Sequence, residues 1–280
     1  MLEQPRNEQT LQEPDPGTPL VPEEPAAEQA PWSLQQTFQG VLLTIVPWLV
    51  LSIGLSSLAG GNTTRPTAPL PWPRDLAGAV VTVFFSLIIQ SAFLIAPIYF
   101  ARRAVAATTA APPSPRKTLR ALGFRGFRVP PVVFWLLLLL VGILIANTLY
   151  QTLITTLHLN LQTNDQVYLR LGKVAPITTY TVLFLAVFVA PFCEETFFRG
   201  FLFPGLRRGM AVGWAIMLSA LVFAAVHADL ASFPILALIG IALAFLRWRT
   251  RSIWPGMLLH MLNNAAGAIG ILLYMHGVIR

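Results

Sequence analysis

Cysteine is nearly absent: the chain holds one, Cys193. A disulfide framework and a thiolate-built structural zinc site are therefore excluded. Charge is also scarce, at 11% of residues against about 25% in an ordinary soluble domain. Acids nearly vanish beyond residue 28, where five face eighteen bases. The sequence contains no H-E-x-x-H, which excludes a standard zincin. No internal repeat is visible, which argues against the paired halves of many transporters. These absences rule out a soluble globular protein, a disordered chain and a coiled coil. What is abundant is apolar: 55% of the 280 residues are hydrophobic. The composition defines an all-α, polytopic membrane protein.

The charge is unevenly placed. Residues 1–28 carry seven acids and one base, with much Pro and Gln and few large apolar groups. Such a segment buries too little surface to offset its ordering entropy, so residues 1–37 read as a disordered acidic tail. It lacks the basic start and apolar run of a signal peptide, so the first apolar segment is expected to remain in the mature protein. The basic excess elsewhere falls in short clusters between apolar runs, which argues for membrane orientation rather than nucleic acid binding.

Uncharged apolar stretches run at about 41–59, 76–100, 131–156, 174–193, 211–226, 230–246 and 252–275. A bilayer-spanning helix needs roughly 20 such residues, so the count is seven spans, within six to eight. The runs are continuous rather than alternating, which excludes a barrel. With seven spans, the loops at 101–130, 207–208 and 247–251 share one side and twelve bases. The opposite loops hold four: Arg65, Arg74, Arg170 and Lys173. The positive-inside rule puts the twelve, and the acidic tail, in the cytoplasm, with the plasma membrane as the expected home. Leu119–Val129 mixes Arg with Leu and Phe and is expected along the membrane surface. Residues 38–132 then form two spans and a basic loop, and 133–280 the core.

Polar ionisable groups in the apolar half are few: Glu194, Glu195, Arg199, His227, Asp229 and His260, with Asn263 and Asn264 beside them. An ionised carboxylate within a membrane helix costs on the order of 3 kcal/mol, so these groups need partners and mark function. Glu195 and Arg199 stand at i and i+4, acid first, the favourable order for an ion pair. Glu194 points about 100° away and is left free as base or ligand. Phe223 lies one turn before His227 and can pack on its ring. His260 and Asn264 share a helical face, a spacing that also suits plain interhelical hydrogen bonding. One carboxylate, two imidazoles and a carboxamide suit hydrolysis by activated water, with donors for an oxyanion. Glu194, His227 and His260 also make a set able to hold Zn²⁺ with a position open for water. A proton relay of a transporter and a non-catalytic scaffold remain alternatives.

The three elements, in order, resemble the CPBP family of intramembrane endopeptidases, which includes type II CAAX prenyl proteases and bacterial Abi proteins linked to bacteriocin processing and immunity. The family pattern E-E-x-x-x-R, F-x-x-x-H, H-x-x-x-N/D matches Glu194-Glu195…Arg199, Phe223…His227 and His260…Asn264. The resemblance covers about 174–275. It implies a helical membrane core around a cavity, with Glu194 and His227 activating water and His260 and Asn264 stabilising the oxyanion. Glu195 and Arg199 are then supporting residues, and the expected substrate is a membrane-associated peptide or protein.

Depth poses a difficulty. At about 1.5 Å per residue, His227 lies roughly 28 Å beyond Arg208, and His260 only roughly 13 Å beyond Arg251. Convergence of the three elements therefore requires tilt, a helix that starts outside the bilayer, or a break near Pro204 and Gly205.

Overall fold

The computed structural model describes residues 30–60, 68–108, 112–159, 161 and 164–279. Most of the expected acidic tail lies outside the described residues. Helices run over Leu34–Gly60 (α1), Trp72–Ala107 (α2), Pro115–Ala121 (α3), Val129–Thr156 (α4) and Asn164–Val174 (α5). They continue over Pro176–Leu206 (α6), Val212–Val226 (α7), Phe233–Thr250 (α8) and Trp254–Met275 (α9). Among the described residues six helices are long and apolar enough to cross a membrane, and the 15-residue α7 is a shorter apolar seventh. The seven expected runs are all present, and the chain is a multi-pass integral membrane protein. Short α3 and α5 were not expected; both lie between apolar runs.

Proline sets where helices begin. Pro73, Pro115, Pro130, Pro176, Pro234 and Pro255 each occupy the first or second helical position, where no N–H partner is needed. The start of α1 is a capping box, with Ser33 N–H donating to Gln36 (2.8 Å) and Gln36 N–H to Ser33 (3.1 Å). That box places the helix start ahead of residue 37, the expected end of the tail. The start of α6 is capped from another helix. The buried Asp75 carboxylate of α2 accepts from the N–H groups of Ile177 (2.8 Å) and Thr178 (2.9 Å) and from the Thr178 hydroxyl (2.7 Å).

Helix α6 contains two π-turns, Leu185–Val189 and Thr196–Leu202. Both end at a proline. Ala190 N–H bonds five residues back to Leu185 O; the next residue, Pro191, has no N–H, so Ala186 O is released. Phe203 N–H likewise bonds to Phe198 O, and Pro204 releases Arg199 O. Each freed carbonyl accepts a side chain from a later helix: Asn264 Nδ2 reaches Ala186 O (2.8 Å), and Arg247 Nε reaches Arg199 O (2.9 Å). The prolines thus convert backbone lost to α6 into docking points for α9 and α8.

The core is aromatic. Phe93 of α2 meets Phe197 and Phe198 edge-on or tilted, at 5.5 and 5.9 Å between centroids, and Trp32 stacks on Phe201 at 5.1 Å. The N-terminal helices and the C-terminal half therefore share one core. The stretch after α3, expected along the membrane surface, is anchored to the core at two points. Leu122 is fully buried, Gly123 adopts φ +89°, and its carbonyl accepts from Ile253 N–H (3.0 Å). Ser252 Oγ bonds Arg125 O (2.6 Å), so the segment is fastened to the turn between α8 and α9.

Candidate active site

Helix α7 delivers His227 at its C-terminal end, and Phe223 aims the ring. His227 Nδ1 bonds Phe223 O (2.8 Å), and the two rings lie 4.7 Å apart. A carbonyl only accepts, so Nδ1 carries the proton and Nε2 is turned the other way. Phe223 also borders His260 (5.6 Å) and lies under the Arg199 guanidinium (4.5 Å).

The i,i+4 pair forms as expected. Arg199 Nη1 donates to Glu195 Oε1 (2.8 Å), with both side chains fully buried. Arg199 Nη2 reaches Gly240 O (3.1 Å). This needs α8 against α7, and a Cβ on Gly240 would stand 2.8 Å from Ala220 Cα. Glu195 Oε1 also accepts from His260 Nδ1 (3.1 Å). Its Oε2 is buried without a protein partner, over Gly256, where a Cβ would come within 3.2 Å. Glu195 therefore orients His260 while Arg199 balances its charge.

Glu194 faces the gap. Its Oε2 is buried without a hydrogen-bond partner, 4.0 Å from His227 Nε2 and 3.9 Å from His260 Nε2. Three elements distant in sequence meet at one oxygen. Two lengths ease the depth difficulty. Helix α7 starts only at Val212, so His227 stands about 22 Å above that start. Buried Arg247 is bonded at Arg199, eight residues or about 12 Å along α6 from Arg207, and the four residues from Arg247 to Arg251 take back about 6 Å. The remaining ~6 Å, added to the roughly 13 Å from Arg251 to His260, brings His260 near the height of His227. Arg247, counted above among loop cations, is an interior group.

Asn264 is already engaged. Its Nδ2 donates to the freed Ala186 O, and its Oδ1 accepts from Asn263 (3.3 Å). One amide hydrogen remains for other use. Asp229 accepts from the N–H (3.0 Å) and hydroxyl (2.7 Å) of Ser232, closing the turn into α8. Tyr150 of α4 donates to Ala231 O (2.6 Å) and holds the same turn. Sequence reasoning missed Tyr150, Arg247, Gly256 and Asp75; only Pro191 and Pro204 could have signalled that freed carbonyls needed donors.

Glu194, His227, His260 and Asn264 border a cavity of about 460 Å³. Zn²⁺ holds its ligands at about 2.0–2.2 Å, so tetrahedral ligand atoms stand about 3.3 Å apart. The Glu194–imidazole separations of 3.9–4.0 Å are wider, and among the described residues no group of three His, Cys, Asp or Glu is placed to hold a metal. The side chains as arranged fit a water better than an ion.

Fold and site together define a polytopic helical membrane protein with a glutamate–histidine centre. Residues 176–266 match the family model of the type II CAAX prenyl endopeptidase Rce1-like proteins, so the resemblance read from the motifs is borne out over this segment. "Putative membrane peptidase YdiL" of Bacillus subtilis (strain 168) is 30% identical over 101 residues, 36% of this chain and 40% of that protein. An uncharacterized protein of Mycoplasma capricolum is 39% identical over 94 residues, 31% of this chain and 27% of the other. Both matches span less than half of the relative's own length. No solved structure matches the chain.

Proposed function

We propose that this protein is an intramembrane endopeptidase that hydrolyses a peptide bond of a membrane-associated substrate with glutamate-activated water. The observation that carries this is the unpartnered Glu194 Oε2 facing two imidazole nitrogens across a gap of 3.9–4.0 Å. A water about 2.8 Å from each polar atom fits that gap. Glu194 accepts one of its protons as the oxygen attacks the carbonyl carbon. His227 Nε2, unprotonated because Nδ1 serves Phe223 O, accepts from its second hydrogen. His260 is held at Nδ1 by Glu195 Oε1, and in its imidazolium form its Nε2–H donates to the oxyanion, where the remaining Asn264 amide hydrogen can join it. Glu194 returns its proton to the leaving amine, which closes the cycle.

The chain sits among lipids with its basic loops and N-terminus in the cytoplasm, in the plasma membrane. The test compares protein termini in cells expressing wild type and Glu194→Ala at matched levels. New C-terminal ends that vanish in the variant support the peptidase and identify its substrate. Identical termini, with every phenotype kept by the variant, favour a non-catalytic scaffold instead. Metal content of active purified protein separates the metal-free route from a Zn²⁺ route: stoichiometric metal would replace the mechanism above.

A further inference from the structure

The cavity carries polar groups the hydrolytic chemistry does not use. Ser86 and Gln90 of α2 stand at i and i+4, and Asn147 and Gln151 of α4 at i and i+4; all four line it. These helices are otherwise built to face lipid, with mean hydropathy of 2.3 and 2.7 over their most apolar windows. Other polar groups of α4 are consumed locally: Thr148, Thr152 and Thr155 return their hydroxyls to carbonyls of their own helix. The carboxamides cannot be absorbed in that way and are turned inward. Gln90 Oε1 is buried with no hydrogen-bond partner. Its height is set by two contacts: Asp75 meets Ile177, and Phe93 meets Phe197. Helices α2 and α6 therefore run parallel, offset by 102 to 104 positions, which puts Gln90 beside the turn holding Glu194.

An unpaired carboxamide in a membrane interior is costly, and its ligand must offer both N–H and C=O. A peptide in extended form does so along its length. It is also the form that hydrolysis demands, since a helical substrate keeps its carbonyls in i→i−4 bonds. Unwinding frees main-chain groups that need partners wherever water is scarce.

We infer that Gln90, Asn147 and Gln151 form a subsite for the main chain of an unwound substrate segment, with Gln90 Oε1 accepting a peptide N–H next to the scissile bond. The inference rests on the peptidase reading and specifies its substrate: an extended, locally unwound peptide selected by its backbone more than by its side chains.

Main-chain recognition allows a generic probe. A dansyl-labelled hexaleucine amide is titrated into nanodiscs of the full chain carrying Glu194→Gln, so that the probe is not consumed. Its depsipeptide, with ester oxygens replacing alternate amide nitrogens, keeps the shape but loses N–H donors. Partition into empty nanodiscs is subtracted. The expected result is about tenfold tighter binding of the amide, a preference reduced several-fold by Gln90→Leu and by Gln151→Leu. Both variants place leucine in an apolar helix, and unchanged thermal unfolding verifies their fold. Equal affinity for the two probes, no binding of either, or an unaltered preference in both variants overturns the inference. Cleavage of the amide probe by the chain with native Glu194 is measured alongside. No cleavage with the preference intact sinks the peptidase reading and leaves the subsite standing; cleavage without preference sinks the subsite alone.

Discussion

At the scale of single residues, the adjacent glutamates divide the labour, and substitution separates them. Glu194 Oε2 makes no hydrogen bond within the protein, so Glu194→Gln should reduce cleavage by about 10²–10⁴ and leave thermal unfolding nearly unchanged. Glu195 is tied to Arg199 and His260, and Glu195→Ala strands a buried guanidinium. That change should cost about 3–5 kcal/mol of stability, read as early unfolding in detergent. Equal melting of the two variants would refute the division. Gly256→Ala should act through geometry, because its methyl group would press on Glu195 Oε2 and turn His260. Its expected signature is a fall in kcat with little change in KM. The motif residues were legible because helical spacing alone separates Glu194 from the Glu195–Arg199 pair. Gly256, Tyr150 and Arg247 were not, since each acts on a group far away in sequence.

At the scale of elements, α6 is the organiser. All seven apolar runs could be read from composition, because lipid forces every long apolar segment to satisfy its own backbone. The interruptions of α6 could not, since a π-turn leaves no periodic trace in a uniformly apolar run. The anchoring of Leu119–Val129 was hidden for a related reason: its arginines conceal Leu122 and Gly123, which dock on the α8–α9 turn. Asp75 shows how one element is capped by another. Asp75→Ala removes the acceptor for Ile177 and Thr178 and should cost about 1–3 kcal/mol, detectable as faster hydrogen exchange at the start of α6. Asn264→Leu should likewise orphan Ala186 O, loosening α9 from α6 and lowering both stability and cleavage. Cleavage lost with stability kept would instead assign Asn264 chiefly to the oxyanion.

At the scale of the whole molecule, the orientation proposed from the distribution of charge is open to direct test. In a Cys193→Ser background, Arg116→Cys should react with a membrane-impermeant maleimide only from the cytoplasmic face, and Arg170→Cys only from the other. The opposite pattern would invert the topology while leaving the site unchanged. One further consequence concerns synthesis. The chain enters the membrane from its N-terminus, and a lone arginine in a nascent span is penalised by about 2.5–3.5 kcal/mol. Arg199 emerges four residues after Glu195, Arg247 finds Arg199 O already in place, and His260 finds Glu195 waiting. Arg199, Arg247 and His260 each emerge after an acceptor they bond, so the order of translation lets these three cationic or ionisable groups join the polar centre as they are made.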